Sequence, residues 1–100
     1  MIYVIYEFKC TPENQESFIR LWREATQVIR NNHGSLGSRL HHAGDSTYIA
    51  YAAWPDEETF THAQQAPCKE VEDAIKNMRA TLIESKRLHV MRPIEDMLEL

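Results

Sequence analysis

The sequence predicts a single α+β domain of ferredoxin-like βαββαβ order: a four-stranded antiparallel sheet with its helices on one face. Three observations carry this. Strand-type and helix-type hydrophobic periods follow one another as strand, helix, strand, strand, helix, strand. The opening run Ile2-Tyr3-Val4-Ile5-Tyr6-Glu7-Phe8 is apolar at both parities, so neither of its faces can meet water without exposing large side chains. At 100 residues the chain is long enough for one core that buries roughly two-thirds of its unfolded surface, and too short for two. Its helices cover one face of the sheet, and the other face calls for a second copy of the protein. The expectation is an obligate homodimer joined through the sheet, spanning residues 1–100 as one domain.

The first strand runs to about Cys10 and ends at Thr11-Pro12, where Thr suits a helix cap and Pro the first turn. Phe18, Leu21, Trp22, Ala25, Val28 and Ile29 then repeat at spacings of three and four, while Arg20, Arg23, Glu24 and Gln27 fall on the wet side. Asn31-Asn32-His33-Gly34 closes this helix, because Asn and Gly tolerate the left-handed conformation at a C-terminus. Two strands follow, Leu36 to His42 and Thr47 to Trp54, joined by the turn-forming Ala43-Gly44-Asp45-Ser46 and pairing antiparallel. Pro55-Asp56-Glu57-Glu58 combines a strand breaker with acids suited to the positive end of a helix dipole, so a second helix opens near residue 56. Pro67 interrupts it, and Val71, Ala74, Ile75, Met78 and Leu82 resume helical spacing: a short helix, a kink and a longer helix. The last strand, Ser85 to Met91, alternates around Leu88 and Val90 and stops at Pro93. The tail from Ile94 to Leu100 is an acidic, apolar-studded arm, short enough to dock on a partner or fray. Right-handed crossovers place the helices together and the first strand centrally. Covering the bare face with a second sheet removes several hundred Å² of apolar surface from water, a gross gain on the order of 10 kcal/mol before association costs.

Composition narrows the function. With 43% hydrophobic and 26% charged residues the chain is an ordinary globular one, and disorder is not expected. A net charge of −4 leaves no basic field for a phosphate backbone, which argues against nucleic acid. No apolar run approaches the length of a membrane span, and Met1 leads straight into the first strand without a basic leader, so the expected location is cytoplasmic and no membrane partner is expected. Cys10 and Cys68 lie outside any CxxC or dense framework and read as reduced thiols.

One family combines these features. The first-strand run above, Thr11-Pro12-Glu13 and Phe18-Ile19-Arg20-Leu21-Trp22, then Gly34-Ser35-Leu36-Gly37-Ser38, and Trp54-Pro55-Asp56-Glu57-Glu58-Thr59-Phe60 with His62, together resemble the antibiotic biosynthesis monooxygenase domain family over nearly the whole chain. The resemblance implies a homodimeric α/β barrel with a pocket between each sheet and its helices. It also implies, for some members, oxidation of polyphenolic or quinol-like aromatics by dioxygen with no cofactor. Such chemistry needs a dry apolar cavity, aromatic walls, and a base or donor to stabilise a phenolate.

The candidate residues each carry two readings. Trp54 matches the family's Trp and either stacks on a ring and donates one hydrogen bond, or closes the core under the second helix. Tyr6, on the even parity with Ile2, Val4 and Phe8, either sends its hydroxyl into the pocket or bonds a carbonyl inside the core. Trp22 is a substrate wall or a core residue of the first helix. His62 is the candidate base, since imidazole titrates near neutral pH, or else faces solvent. Arg39, sharing a parity with His41, holds an anionic substrate group or stays solvated on an edge strand.

Other chemistries fare worse. His41 and His42 point to opposite faces, His33 ends a helix, His89 lies on the other edge strand, and no HxxxH or HExxH spacing occurs, so no metal site is expected. A haem-degrading branch of the family uses an Asn on the first strand and a His on the second helix. Here Tyr6 stands nearest the Asn and Gln64 at the His, with His62 rotated by about 200° from that direction, a departure that counts against haem. Ser35, Ser38 and Ser46 show no nucleophile elbow, and no Gly-rich phosphate loop exists. The leading expectation is a cofactor-independent monooxygenase acting on a planar, quinol-like aromatic, with Tyr6, Trp54 and His62 catalytic and Trp22 and Arg39 binding substrate. The alternative is a non-catalytic ligand-binding or stress-associated homodimer built on the same pocket.

Overall fold

The computed structural model describes residues 1–99. β1 (Ile2–Lys9) lies inside a four-stranded sheet, antiparallel on one side to β3 (Thr47–Trp54) and on the other to β4 (Glu84–Met91), with β2 (Gly37–His42) at the far edge against β3. The β1–β3 register pairs Ile2 with Trp54, Val4 with Ala52, Tyr6 with Ala50 and Phe8 with Tyr48. Because strand side chains alternate, all eight point to one face, and that face carries the helices. The fold is the α+β, ferredoxin-like arrangement expected.

A single 3₁₀ turn, Pro12–Asn14, leads into α1 (Gln15–His33). The Thr11 side chain makes no capping bond; its carbonyl instead accepts the Asn14 N–H at 3.0 Å. The apolar stripe of α1 faces the sheet, with Phe18 and Ala25 fully buried, and Gly34 ends the helix at φ 76°, where a side chain would be strained. Asp56 caps α2 (Glu57–Gln65) by accepting the Thr59 N–H at 2.7 Å, and this bond holds its carboxyl below the usual range. Pro67 separates α2 from α3 (Lys69–Arg79).

β4 departs from simple alternation. Its register with β1 slips between Ile5 and Tyr6: His89 faces Ile5, Arg87 faces Tyr6, and Leu88 has no partner. A bulge of this kind turns the strand, so Arg87 joins the helix-bearing face while Lys86 reaches Glu7 and Glu84 on the other.

The core is two clusters. Phe8, Phe18, Tyr48 and Met78 form one, and Ile2, Val4, Trp54 and Phe60 the other, with Tyr6 packed against both. The opposite sheet face has no helix. It presents Tyr3, Ile5, Ile49 and Tyr51, half-buried, with the Tyr3 and Tyr51 rings stacked 4.9 Å apart. In the tail Arg92 pairs with Glu57, while Ile94, Met97 and Leu98 are exposed; Leu100 lies outside the described residues. Among the described residues no helix is long and apolar enough to cross a membrane.

Candidate functional site

The gap between the two clusters is a cavity of about 200 Å³ between the sheet and helices. Its origin is four alanines. Ala50 and Ala52 on β3, Ala25 on α1 and Ala63 on α2 occupy inward positions where larger side chains would fill the space, and all four line it. Trp22, Trp54, Phe8 and Met78 supply much of the remaining apolar wall. A dry cavity of about 150 Å³ accepts benzene, so this one has the scale of a one- or two-ring ligand.

Polar groups sit toward its two ends. Where α1 hands over to β2, His33 lines the cavity with its Nε2 accepting the Cys68 backbone N–H at 3.2 Å. An acceptor Nε2 places the proton of neutral His33 on Nδ1, so the ring has a hydrogen to donate and no free lone pair. Nearby, Ser35 Oγ accepts the Gly37 N–H at 3.0 Å, and the buried Ser38 Oγ has no partner. Toward the end of α3, the cavity meets Tyr6, Gln64, Arg79 and Ser85. Burial pushes the Tyr6 phenol up from its ordinary 10.0, and the charges of Arg87 and Arg79 pull it part of the way back. Tyr6 therefore stays protonated at neutral pH, with a hydrogen to donate. Arg87 is anchored by Gln64 Oε1 at 3.3 Å and lies 5.7 Å from the Phe60 ring centre.

The structure brings Tyr6, Trp22 and Trp54 together around this space. Two expected members are placed elsewhere. His62 is exposed and outside the lining, because each helix residue turns by about 100° and α2 presents Ala63 and Gln64 inward. Arg39 pairs with Tyr51 and so lies on the helix-free face, Ser38 and Leu40 being the inward residues of β2. His41 shares that outer face, and among the described residues no three His, Cys, Asp or Glu side chains are grouped to hold a metal. Sequence reasoning missed His33, read as a helix ending, and Arg79 and Arg87. The small residues Ala50 and Ala52, alternating with Tyr48 and Trp54 on the inward parity of β3, were the available signal for the cavity.

The family model for antibiotic biosynthesis monooxygenase matches residues 1–80. No curated protein matches the chain in sequence. Among solved structures the chain is similar to SnoaB, a cofactor-independent oxygenase from Streptomyces nogalater, at 18% identity and TM-score 0.76, covering 98% of this chain and 97% of that one. It is similar also to a candidate antibiotic biosynthesis monooxygenase from Deinococcus radiodurans (14% identity, TM-score 0.76, 100% and 99% covered). A third is Rv0793 from Mycobacterium tuberculosis (13% identity, TM-score 0.73, 97% and 98% covered). At these identities the structural likeness speaks to the fold.

Proposed function

Because the chain belongs to the antibiotic biosynthesis monooxygenase family, we propose that its cavity oxygenates a planar, electron-rich aromatic of the quinol class with dioxygen and no cofactor. The observation that supports this most is the cavity itself: apolar, walled by Trp22 and Trp54, lined also by Tyr6, and bordered by the Arg79 cation at one end.

In this reading the ionised substrate passes one electron to dioxygen. The substrate radical and superoxide then join in a C–O bond. Cleavage of the O–O bond leaves one oxygen in the product as a carbonyl and releases the other as water, whose two hydrogens come from the substrate's hydroxyl and from the carbon oxygenated. The protein's part is to bind the ring flat, exclude water and stabilise the anion. Tyr6 donates a hydrogen bond to the substrate oxygen, and the guanidinium field of Arg79 and Arg87 favours the ionised form. Trp54 stacks on the ring and donates its indole N–H to a substrate oxygen, its own position fixed by edge contact with Phe60 at 5.5 Å.

A second copy of the chain completes the assembly in the same proposal, packing its sheet on the Tyr3, Ile5, Ile49 and Tyr51 face, whose half-buried apolar side chains have no helix above them. The placement is cytoplasmic. The rival reading, a binding protein without turnover, is favoured by one feature: the described lining holds donors and a cation but no carboxylate.

Oxygen uptake with a panel of quinols separates the two. The oxygenase reading expects at least one quinol to be consumed with oxygen, and Trp54→Phe, which keeps the ring packing and removes the indole N–H, to lower kcat/KM by about tenfold. Unchanged uptake in Trp54→Phe rejects the role given to Trp54, and no uptake with any quinol leaves the binding protein.

A further inference from the structure

We propose that the cavity selects its aromatic ligand as an anion, a hydroxylated aromatic carboxylate of one or two rings, with the Arg79 guanidinium holding the carboxylate at the α3 end.

The first support is the cation at the cavity's edge. Four of the eleven Lys and Arg side chains, Arg20, Lys69, Lys86 and Arg92, find a carboxylate among the described residues. Of the seven that do not, Arg79 alone lines the cavity, exposed to solvent at its edge, where its charge acts on the half-buried Tyr6. A guanidinium without a carboxylate at the mouth of an apolar cavity matches an anion brought by the ligand. Arg87 is already held by Gln64, lies against Phe60 and is outside the lining, whereas Arg79 lines the cavity and, among the described residues, has no side-chain partner. A planar fork of five donors suits a carboxylate in bidentate geometry better than it suits a neutral oxygen.

The second support is the kind of polar group present. Tyr6 is a donor, His33 has its free hydrogen on Nδ1 and its lone pair occupied, and neither Asp nor Glu appears in the described lining. Nothing there repels a negative charge, and nothing there takes a proton from a neutral ligand. The Ser38 Oγ, buried without a partner toward the other end, fits the ring hydroxyl of a ligand whose carboxylate is at Arg79. Volume sets the size, since about 200 Å³ admits one ring comfortably and two closely.

This inference names the ligand class for the cavity of the proposed function and rests on that cavity being the ligand site, though not on turnover. Isothermal titration calorimetry with para-hydroxybenzoate against para-hydroxybenzamide, and with a hydroxynaphthoate against its primary amide, tests it on the full chain. In wild type at least one acid is expected to bind about tenfold or more tighter than its uncharged amide. Arg79→Gln is expected to bring that acid to the level of the amide while the amide's affinity and the circular dichroism spectrum stay unchanged. Equal binding of acid and amide, no binding of either acid, or an acid preference that survives in Arg79→Gln overturns the proposal. Acid-selective binding without oxygen uptake leaves it standing and removes the oxygenase reading; oxygen uptake on neutral quinols with no acid preference does the reverse.

Discussion

The backbone N–H of Cys68 donates to Nε2 of His33 across 3.2 Å, and this bond joins the last residue of α1 to the N-cap of α3 beside the cavity. It spans 35 positions of sequence. Two helices that wall the same space are thus tied where they converge, by a side chain whose second nitrogen keeps its proton.

Replacing His33 with Ala leaves the Cys68 N–H without an acceptor in a partly buried place. The expected cost is about 1–2 kcal/mol, which in a chain of this length lowers Tm by roughly 4–16 °C in thermal unfolding followed by circular dichroism. An unchanged Tm would show that the bond contributes nothing in solution.

Ala52 lines the cavity and pairs with Val4 and Ser38. Because the space beside it is empty, Ala52→Leu is expected to fold with a Tm within a few degrees of wild type, the added methyl groups entering the cavity instead of straining the core. Ligand binding by calorimetry is expected to fall by more than about tenfold. A folded Ala52→Leu that binds as wild type would move the ligand site elsewhere.

How much of this could be read beforehand follows from what each signal encodes. The parity of β1 fixes that Ile2, Val4, Tyr6 and Phe8 share a face, and the 3.6-residue period fixes that Phe18, Trp22 and Ala25 meet it, so Tyr6, Trp22 and Trp54 were legible as neighbours. Parity within one strand does not say which face a second strand turns inward; that depends on register, and the β2–β3 register sends Arg39 outward. A period-two reading of β4 places Leu88 and Val90 together, and the bulge at Leu88 undoes this while bringing Arg87 inward. Arg79 and His33 sit in the last turns of helices, where a basic residue already has a reason to be, in the helix dipole, and so gives no separate sign of a site.

Alkaline pH is expected to weaken the fold. Burial raises the phenols of Tyr6, Tyr48 and Tyr51 above their ordinary 10.0, so the folded state binds these protons more tightly than the unfolded chain. Below about pH 10 both states are protonated and stability is unaffected; above it the unfolded chain ionises first and stability falls until the folded pKa values are passed. Urea unfolding at rising pH is expected to show this decline, and Tyr48→Phe to reduce it. An identical decline in Tyr48→Phe would assign it to other groups.

Arg39→Ala and His62→Ala are expected to leave kcat/KM on an active quinol within about twofold of wild type, since neither side chain lines the cavity. A loss beyond about tenfold in either would return that residue to the site.

The most direct test of the cavity as an oxygenation site is turnover under isotopically labelled dioxygen, with the product read by mass spectrometry. The account predicts one labelled oxygen atom in the aromatic product, the other in water, and loss of the labelled product in Ala52→Leu. Unlabelled quinone accompanied by hydrogen peroxide, or labelling that persists in Ala52→Leu, would contradict it.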